Sequence, residues 1–384
     1  MPDDSFFGPP WLARINAAFM VLVLIGGLAA LVATGLQRSW PGTELSFVDG
    51  EWTLRYERGM DDGFATRDAA VTTWGAIEWG LFGEGRRGVV PGRDGWLFTV
   101  EEFEQPDDAE AAIAAKLAAI VAARDRLAAA GVPRLVVALL PDKSRVNADM
   151  LDAIQRRPEH AQRYQAFRGA LREAGIVAPD LLTPLADAAA AGTQTHMRTD
   201  THWTPAGAVV VAEALAAAIA AGDDPPPSLG AAAFATAELP PAAHDGDLTR
   251  FIPLGPLRTL LLGPPEELVQ RQTAAADSTD GGDADALLFG DVTIPAVLVG
   301  TSYSAMDEWN FDGALQQALG MDVLNLADEG KGPMEPMAAY LASDALRDSP
   351  PEIVIWEVPE RFLPVAYDLP ADAFAQPPDA AALD

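Results

Sequence analysis

Short, continuously apolar segments alternate with helix-forming segments over most of this sequence. The clearest is Leu135–Leu140 (LVVALL), which lies between Pro133 and Pro141 and is typical of a strand buried on both faces. Strands that alternate with helices predict a mostly parallel sheet with helices on both faces, so the fold class is α/β. Further strand segments are Pro295–Val299, Val323–Leu326 and Ile353–Trp356, and the helical segments are Glu110–Ala130, Ala161–Ala174, Pro205–Ala221, Met306–Leu319 and Pro336–Leu346.

An apolar segment near the N-terminus predicts one transmembrane helix. Ala17 to Leu36 is a stretch of about 20 residues without a charge, flanked by Arg14 and Arg38, and it matches a hydrocarbon core of roughly 30 Å. A buried core helix is the first alternative, but the segment is apolar on every face. A cleaved signal peptide is the second, but its apolar region is usually about 7–15 residues long and no clear cleavage site follows Gly35. One arginine on each side says little about orientation.

The sequence predicts four consecutive parts. An insertion, at residues 222–291, interrupts the alternation because it is rich in Pro, Ala and Asp, and its tract 277–285 (DSTDGGDAD) has the composition of a surface loop. Part of it, around Gly246–Phe251, is expected to be ordered. The parts are a membrane anchor at residues 1–40, a juxtamembrane segment at 41–90, a catalytic domain at 91–366 that includes the insertion, and a disordered tail at 367–384.

Composition excludes several classes of function. The chain has 26 Lys and Arg against 56 Asp and Glu, a net charge of −30, whereas nucleic-acid binding requires a basic face. At 49% hydrophobic residues it has enough apolar surface for a folded core. It has no cysteine, which excludes thiol nucleophiles, disulfides and Cys-ligated zinc, and its four histidines do not suggest a His-rich metal site. We therefore predict no metal and no cofactor.

The first chemical motif is Thr199–Gly207 (TDTHWTPAG). An aspartate two residues before a histidine, here Asp200 and His202, can hold one imidazole nitrogen and leave the other free as a base. Thr204 and Pro205 are typical of a helix cap and its first residue, which places the pair on a loop at a helix N-terminus. The alternative is a capping aspartate beside an exposed histidine.

The second motif is Val297–Ser304 (VLVGTSYS). A buried strand that runs through Gly-Thr-Ser into a helix presents the hydroxyl of Ser302 above the carboxyl end of the sheet, with backbone N–H groups facing a developing oxyanion. The alternative is that Thr301, Ser302 and Ser304 only cap the helix. Together, the two motifs supply a nucleophile, a base and a group that orients the base, because a serine hydroxyl needs such a base near neutral pH.

Three more segments complete an ordered set with these two: Gly92–Phe98 (GRDGWLF), Pro141–Lys143 (PDK) and Ile355–Arg361 (IWEVPER). The set resembles the motifs of the alginate O-acetylation proteins of the AlgJ/AlgX type, over roughly residues 90–366. In that family the Asp-x-His pair precedes the serine, the reverse of ordinary SGNH esterases, and this chain has the same order. The resemblance implies an SGNH-hydrolase-like (flavodoxin-like) domain in which Ser302 accepts the acyl group, His202 is the base and Asp200 is its partner.

The resemblance also implies a setting. No C-terminal carbohydrate-binding module follows Arg361, so the chain is more similar to the membrane-anchored AlgJ type. The implied location is the inner membrane, with a single span and the catalytic domain in the periplasm. The implied partners are a polysaccharide substrate and a membrane-bound O-acyltransferase as the acetyl source. The insertion departs from the family pattern, which leaves the substrate open.

Six further residues are candidates for oxyanion or substrate binding, each with a structural alternative. Asn325 and Gly330 (or Gly332) follow a strand and have the residue types of an oxyanion hole, or they shape a turn. Tyr303 and Trp203 are candidates to pack against sugar rings, or they belong to the core. Lys143 and Arg361 are candidates to contact a uronate carboxylate or a hydroxyl, or they pair with acids such as Glu357.

Three functions follow from these residues. The first is an O-acetyltransferase, or an acetyl-relay protein, that acts on an exported polysaccharide such as alginate. The second is a polysaccharide acetylesterase, in which water instead of a sugar hydroxyl attacks the same acyl-enzyme. The third is a non-catalytic, membrane-tethered scaffold of an export complex. A polyanionic substrate further predicts a neutral or basic groove around Ser302, despite the net charge of −30.

Overall fold

The computed structural model consists of two compact units. One unit takes in the described residues up to Gly83 together with Pro253–Gly263, and the other takes in those from Glu84 to Ile252 and from Pro264 onward. The predicted boundaries at residues 40, 90 and 366 stay predictions. The structure describes residues 10–34, 46, 48–63, 67–151, 162–276, 294–368, 370 and 373–374, so the acidic tract 277–285 and most of the predicted tail lie outside the described residues.

Helices and strands alternate along the described chain, as the sequence pattern predicts. The α-helices are α1 (Pro10–Thr34), α2 (Glu51–Gly63), α3 (Arg67–Ile77), α4 (Ala109–Ala129), α5 (Lys143–Val146), α6 (Arg163–Glu173), α7 (Leu182–Ala190), α8 (Pro205–Ala220), α9 (Arg258–Leu261), α10 (Ser302–Ala305), α11 (Phe311–Leu319), α12 (Met334–Ala342) and α13 (Asp344–Asp348). The strands are β1 (Val89–Pro91), β2 (Leu97–Thr99), β3 (Leu135–Leu140), β4 (Phe234–Glu238), β5 (Ala242–His244), β6 (Glu266–Leu268), β7 (Arg271–Ala275), β8 (Ala296–Val299), β9 (Val323–Asn325) and β10 (Ile353–Pro359). A π-helix spans Glu78–Phe82, and 3-10 turns span Arg93–Gly95, Val100–Glu102, Ala148–Met150, Asp247–Phe251, Gly255–Leu257, Asp307–Trp309 and Glu360–Phe362.

The first unit contains α1, which includes most of the apolar segment that begins at Ala17. Of the helices that the structure describes, none is long and apolar enough to cross a membrane, so the predicted transmembrane helix is not shown. Within the same unit, α3 continues into the π-helix, and the Trp79 indole N–H donates to the carbonyl of Leu261, 3.0 Å away.

The second unit is built on a four-stranded parallel sheet with the order β3-β10-β8-β9. Every residue of β3 is buried, as expected for a strand covered on both faces. Its alternate residues belong to two separate apolar cores: Val136 and Ala138 lie in one, and Val137 and Leu139 in the other. Helices α8 and α11 contribute to the first core, and α4, α6 and α12 contribute to the second. The predicted parallel α/β architecture is therefore confirmed.

Parallel strands bring their carboxyl ends to one edge of the sheet, which is where ligands bind in folds of this class. Strand β8 ends at Val299 and leads into Ser302, and β10 ends at Pro359, two residues before Arg361. Strand β9 ends at Asn325 on the same edge. The topology thus gathers the residues of several sequence motifs at one place.

Residues 222–276 hold more regular structure than the sequence indicates. Strands β4 and β7 pair antiparallel, as do β5 and β6, and a 3-10 turn follows at Asp247–Phe251. The register of the second pair sets His244 opposite Glu266. Strand β5 thereby brings His244 to within hydrogen-bonding distance of Asp200.

Candidate active site

The turn after β8 presents Ser302 at the N-terminus of α10. Thr301 caps this helix by accepting a hydrogen bond from the amide of Tyr303. Beneath the turn, the buried carboxylate of Glu357 accepts from the Thr301 amide at 2.7 Å, from the Thr301 hydroxyl at 3.0 Å and from the Ser304 hydroxyl at 3.1 Å. The geometry of the turn is therefore set by a side chain from the neighbouring strand β10.

Ser302, His202 and Asp200 form a continuous chain of hydrogen bonds. His202 Nδ1 lies 2.6 Å from Asp200 Oδ1, and His202 Nε2 lies 2.8 Å from Ser302 Oγ. Because a carboxylate can only accept, Nδ1 carries the hydrogen and Nε2 is left to accept from the serine hydroxyl. Asp200 and His202 are buried, at 3% and 6% exposure, and Ser302 is half-buried. The structure thus brings together the three residues that the two motifs single out.

The local backbone of residues 200–204 explains how Asp200 and His202 are held together. The Asp200 carboxylate also accepts from the backbone amide of His202, at 3.0 Å, which closes a tight turn. Thr204 accepts from the amide of Gly207 and Pro205 is the first residue of α8, as the sequence predicts. The histidine is therefore held on a capped loop.

The second oxygen of Asp200 is occupied by groups that the sequence analysis did not identify. His244 Nε2 lies 2.9 Å from Oδ2, and the amide of Asp247 donates to the same oxygen at 2.9 Å. Burial opposes ionisation of Asp200, but the hydrogen bonds from His202, His244 and the Asp247 amide outweigh it and hold the pKa of Asp200 well below its ordinary value. The only sequence signal for these residues is that segment 246–251 was expected to be ordered.

Tyr303 and Trp203 are parts of the core beside the site. The Tyr303 hydroxyl donates to the Thr201 carbonyl at 2.6 Å and accepts from Arg361 Nη1 at 3.0 Å. Its ring lies 4.8 Å from the His202 ring, and burial raises the pKa of Tyr303. Trp203 is 1% exposed and packs edge-on against Tyr303. Neither side chain lines the cavity at Ser302, so both take the structural role that was the alternative to sugar stacking.

A cavity of about 580 Å³ opens above Ser302 and His202. Its charged lining is mixed, with four carboxylates and three basic side chains, so it is neither basic nor uniformly acidic. The residues that line it are Gly88, Thr99, Val100, Glu101, Thr201, His202, Asp247, Leu248, Arg250, Phe251, Thr301, Ser302, Gly330, Lys331, Gly332, Glu335, Arg361, Phe362, Tyr367 and Asp368.

Of the other four predicted binding residues, two line this cavity and two, Asn325 and Lys143, do not. Gly330 and Arg361 are in its wall, and Arg361 also pairs with Glu101, with Nε 3.2 Å from the carboxylate. Asn325 lies outside the wall, because its side-chain N–H donates to the Ser304 carbonyl at 2.6 Å and its oxygen accepts from the Ala327 amide at 3.1 Å. Asn325 therefore shapes the end of β9, which was the alternative to an oxyanion role.

Lys143 requires a correction. We expected it to contact the polymer or to pair with an acid, but it is 1% exposed and its ammonium donates to three backbone carbonyls. Because an ammonium has three N–H donors, none is left for a substrate. Burial lowers the pKa of Lys143 to about 8. The carbonyls belong to Leu97 at 2.6 Å, Arg198 at 3.1 Å and Asp200 at 2.8 Å.

Asp200, His202 and Asp247 lie close enough together for one atom of each to ligate a metal ion. The polar atoms of all three already have partners. The Asp247 oxygens accept from the Thr201 amide at 2.9 Å and the Thr201 hydroxyl at 2.8 Å, and the atoms of Asp200 and His202 are engaged as described above. We therefore interpret the cluster as a hydrogen-bonded network and not as an open set of metal ligands.

Known proteins are similar to this chain in sequence and in fold. A family model described as "SGNH hydrolase-like domain, acetyltransferase AlgX" matches residues 89–360. The chain is 44% identical over 322 residues to the probable alginate O-acetylase AlgJ of Azotobacter vinelandii, covering 84% of this chain and 81% of that protein. It is 42% identical over 356 residues to the probable alginate O-acetylase AlgJ of Pseudomonas putida, covering 93% and 91%. The solved O-acetyltransferase domain of Pseudomonas putida AlgJ matches with a TM-score of 0.64 and 42% identity, over 74% of this chain and 95% of that domain.

Proposed function

Because the chain belongs to the family of SGNH hydrolase-like acetyltransferases that includes AlgX, we propose that it transfers acetyl groups to hydroxyls of an exported polysaccharide such as alginate. Its relatives, which are named probable alginate O-acetylases, support this reaction and this substrate. The observation that carries the proposal is the hydrogen-bonded chain from Ser302 through His202 to Asp200, which opens onto the cavity.

The chain of hydrogen bonds suits a two-step acyl transfer. In the first step Ser302 Oγ attacks the carbonyl of an acetyl ester, while His202 Nε2 takes the hydroxyl proton and delivers it to the departing alcohol. In the second step a sugar hydroxyl attacks the acetyl-serine, gives its proton to His202, and the proton returns to Ser302. Asp200 holds the imidazole in the reactive tautomer and stabilises the imidazolium.

The cavity lining supports a carbohydrate acceptor that carries carboxylates. Arg250, Lys331 and Arg361 are basic side chains in its wall, and guanidinium groups bind carboxylates in a bidentate manner. Four acidic side chains in the same wall limit this attraction. A contact between Arg361 and a uronate carboxylate therefore stays a prediction, as does the oxyanion role of Gly330.

The first test uses a small chromogenic acetyl ester and the purified full chain. Ser302→Ala, His202→Ala and Asp200→Ala should each lower kcat/KM by about 10³-fold or more, because each removes a member of one reacting unit. Ser349→Ala, at an exposed serine, is the matched control and should behave as the wild type. Wild-type activity in Ser302→Ala would refute the role of Ser302 as the nucleophile. An inert wild-type protein whose Ser302→Ala strain still makes normally acetylated polymer would leave only the scaffold function.

Transfer and hydrolysis differ only in which hydroxyl attacks the acetyl-serine. We expect mass spectrometry to detect acetylated oligosaccharide when the chain, an acetyl ester and unacetylated oligomannuronate are incubated together. Release of acetate alone, with the acceptor unmodified at saturating concentration, would assign the chain as an acetylesterase.

We further propose that α1 anchors the chain in the inner membrane with the catalytic domain in the periplasm. The large apolar side chains described on α1 are 51–69% exposed, which is unfavourable in water and expected in lipid. The chain should sediment with membranes, and protease added to intact spheroplasts should digest the catalytic domain. Protection from the protease would contradict this location.

The acetyl source in this proposal is a membrane-bound O-acyltransferase. Deleting that protein should abolish acetylation of the polymer, while the purified chain keeps its activity on the small ester. Polymer acetylation that persists without the acyltransferase would contradict the partnership.

A further inference from the structure

Asp200 is shared between two histidines. One oxygen accepts from His202, and the other accepts from His244 Nε2 and from the Asp247 amide. Two oxygens of a carboxylate offer about four lone-pair sites, and with the backbone amide of His202 all four are used. The second histidine therefore occupies a defined place in the network behind the proposed base.

We propose that His244 is a positioning residue for acetyl transfer, which fixes the Asp200 carboxylate and, when protonated, offsets part of the negative charge that this carboxylate presents to His202. This inference rests on the function proposed above, because it gives His202 the role of base. His244 does not line the cavity, so it acts through Asp200 and not on the substrate.

The antiparallel pair β5·β6, which carries His244, is hydrogen-bonded to the loop that carries Asp200. His244 is the last residue of β5, and its partner in β6 is Glu266. The Glu266 carboxylate accepts from the Arg198 amide at 2.8 Å and from the amide and hydroxyl of Thr199 at 2.7 and 2.6 Å. Strand β6 thus binds the residues just before Asp200, and β5 contacts Asp200 itself through His244.

The turn after β5 adds a second attachment on the other side of Asp200. The Asp247 carboxylate accepts from the amide and hydroxyl of Thr201, and the amide of Leu248 donates to the carbonyl of Thr199 at 3.2 Å. Residues 199–201 are therefore enclosed by residues 244–248, which leaves the carboxylate little freedom to rotate.

Trp309 couples the two imidazoles further. Its ring stacks on His202 at a centroid distance of 5.3 Å and meets His244 edge-on at 5.6 Å. Because Trp309 is fully buried, both histidines rest against a side chain that is itself fixed by the core. Movement of His244 is thus transmitted to His202 by packing as well as by Asp200.

The charges around His244 favour its protonated form. The hydrogen bond to Asp200 raises the pKa of His244 above its ordinary value, and Glu266 and Glu308 add to the effect, although burial opposes it. Asp245 follows it in the chain, and His202 and Asp247 are the other ionisable groups around Asp200. A protonated His244 offsets part of the negative charge that Asp200 presents to His202.

The sign of the expected effect follows from this competition. Replacing His244 by neutral glutamine removes the positive charge and keeps an N–H donor for Asp200. His202 then binds its proton more tightly, and a higher pH is needed to free it as a base. The low-pH limb of the kcat/KM profile should move to higher pH by about 0.5–1 pH unit.

The experiment is a pH profile of kcat/KM for the full chain with a small acetyl ester. His244→Gln should show the shifted limb, while His244→Ala, which also loses the donor, should show the shift and a plateau rate lowered by about tenfold or more. Glu267→Gln is the matched control, because it changes an exposed charge on the same strand pair. Its kcat/KM profile should have the same low-pH limb as the wild type.

Two results would overturn the inference. One is a His244→Gln profile that superimposes on the wild type, and the other is a uniform loss of rate at every pH with the limb unmoved, which a structural role alone predicts. Thermal melting of each variant shows that it is folded, and His244→Gln, the more conservative change, covers the case in which the alanine variant does not fold. A wild-type protein without activity, or an active Ser302→Ala, would instead refute the proposed function itself.

Discussion

Glu357 is a buried acid that lies directly under the proposed nucleophile, and the sequence analysis considered it only as an ion-pair partner for Lys143 or Arg361. It is fully buried, and it accepts from the Thr301 amide, the Thr301 hydroxyl and the Ser304 hydroxyl. Burial raises the pKa of Glu357 from 4.5 to about 7, and the hydrogen bonds it accepts offset only part of this rise. The turn that presents Ser302 therefore rests on a group that titrates near neutral pH.

Substitution of Glu357 by glutamine should change how stability depends on pH. A carboxyl with a pKa of 4.5 when unfolded and about 7 when folded binds its proton more tightly in the folded state. Its contribution to stability is therefore complete below pH 4.5 and is lost as the pH rises through 7. Between these limits, the unfolding free energy of the wild type should fall relative to Glu357→Gln by about 3 kcal/mol, from the difference between the two pKa values.

Urea denaturation at several pH values measures this difference. Glu352→Gln is the control. Glu352 lies just before the same strand, its carboxylate accepts hydrogen bonds from Ser228, and its replacement should leave the pH dependence as in the wild type. Parallel curves for wild type and Glu357→Gln would show that the carboxyl does not titrate in this range.

Residue roles could be predicted where the motif is local and failed where burial or distance decides. Asp200 and His202 are two positions apart, and Ser302 follows its strand directly, so spacing alone indicated their geometry. His244 contacts Asp200 because β5 folds back onto a loop that is 44 residues earlier in the chain, and no motif spacing predicts a contact of this kind. Lys143 was misplaced because a lysine is ordinarily exposed, whereas here three carbonyls compensate the burial of its charge.

At the scale of elements, the strands of the parallel sheet and the long helices α4 and α8 were predicted to within a few residues, whereas two shorter helices were not. Continuous apolar runs located β3, β8, β9 and β10, because a strand buried on both faces needs no alternation of polar residues. The single helix expected at Met306–Leu319 is broken at Asn310, whose backbone is left-handed with φ 50°. The helix expected at Pro336–Leu346 is interrupted at Ser343, which is extended and caps α13 by accepting from the Leu346 amide.

The pairs β4·β7 and β5·β6 were not predicted, because their strands carry no strong pattern. Segments such as Phe234–Glu238 are only partly buried, so hydrophobic periodicity is weak along them. Their place is set instead by polar contacts, such as the hydrogen bond from the Thr236 hydroxyl to the side-chain oxygen of Gln317 and those of Glu266 with residues 198–199. An element held in this way can be recognised only once the rest of the domain is folded.

At the scale of the whole molecule, the net charge of −30 and the mixed cavity are separate properties. Charge that lies more than about 8 Å away is largely screened at physiological ionic strength, so the wall of the cavity and not the total charge acts on a bound polymer. The total charge acts instead on the folded state, through repulsion among the excess carboxylates.

Salt should therefore stabilise the chain. Raising NaCl from 10 to 150 mM shortens the screening length from roughly 30 to 8 Å. If the relieved repulsion is about 1 kcal/mol, Tm should rise by about 1–2 °C at pH 7 for a chain of 384 residues. Differential scanning calorimetry of the full chain in a nonionic detergent measures this change. Near the pI of about 4.3, where the net charge vanishes, the same salt should have little effect, and that is the control. A Tm that is flat or falls with salt at pH 7 would refute the argument.

The order of the strands in the sheet has a consequence for synthesis of the protein. Strand β10 lies between β3 and β8, yet it is the last strand in the described chain. Among the described strands, β3 reaches the sheet only through β10. Before Ile353 and the rest of β10 have been translated, β3 cannot join the sheet that contains β8 and β9. The four-stranded sheet of the nascent polypeptide thus stays incomplete until β10 has been translated, and Glu357, which supports the turn that presents Ser302, arrives only with that strand.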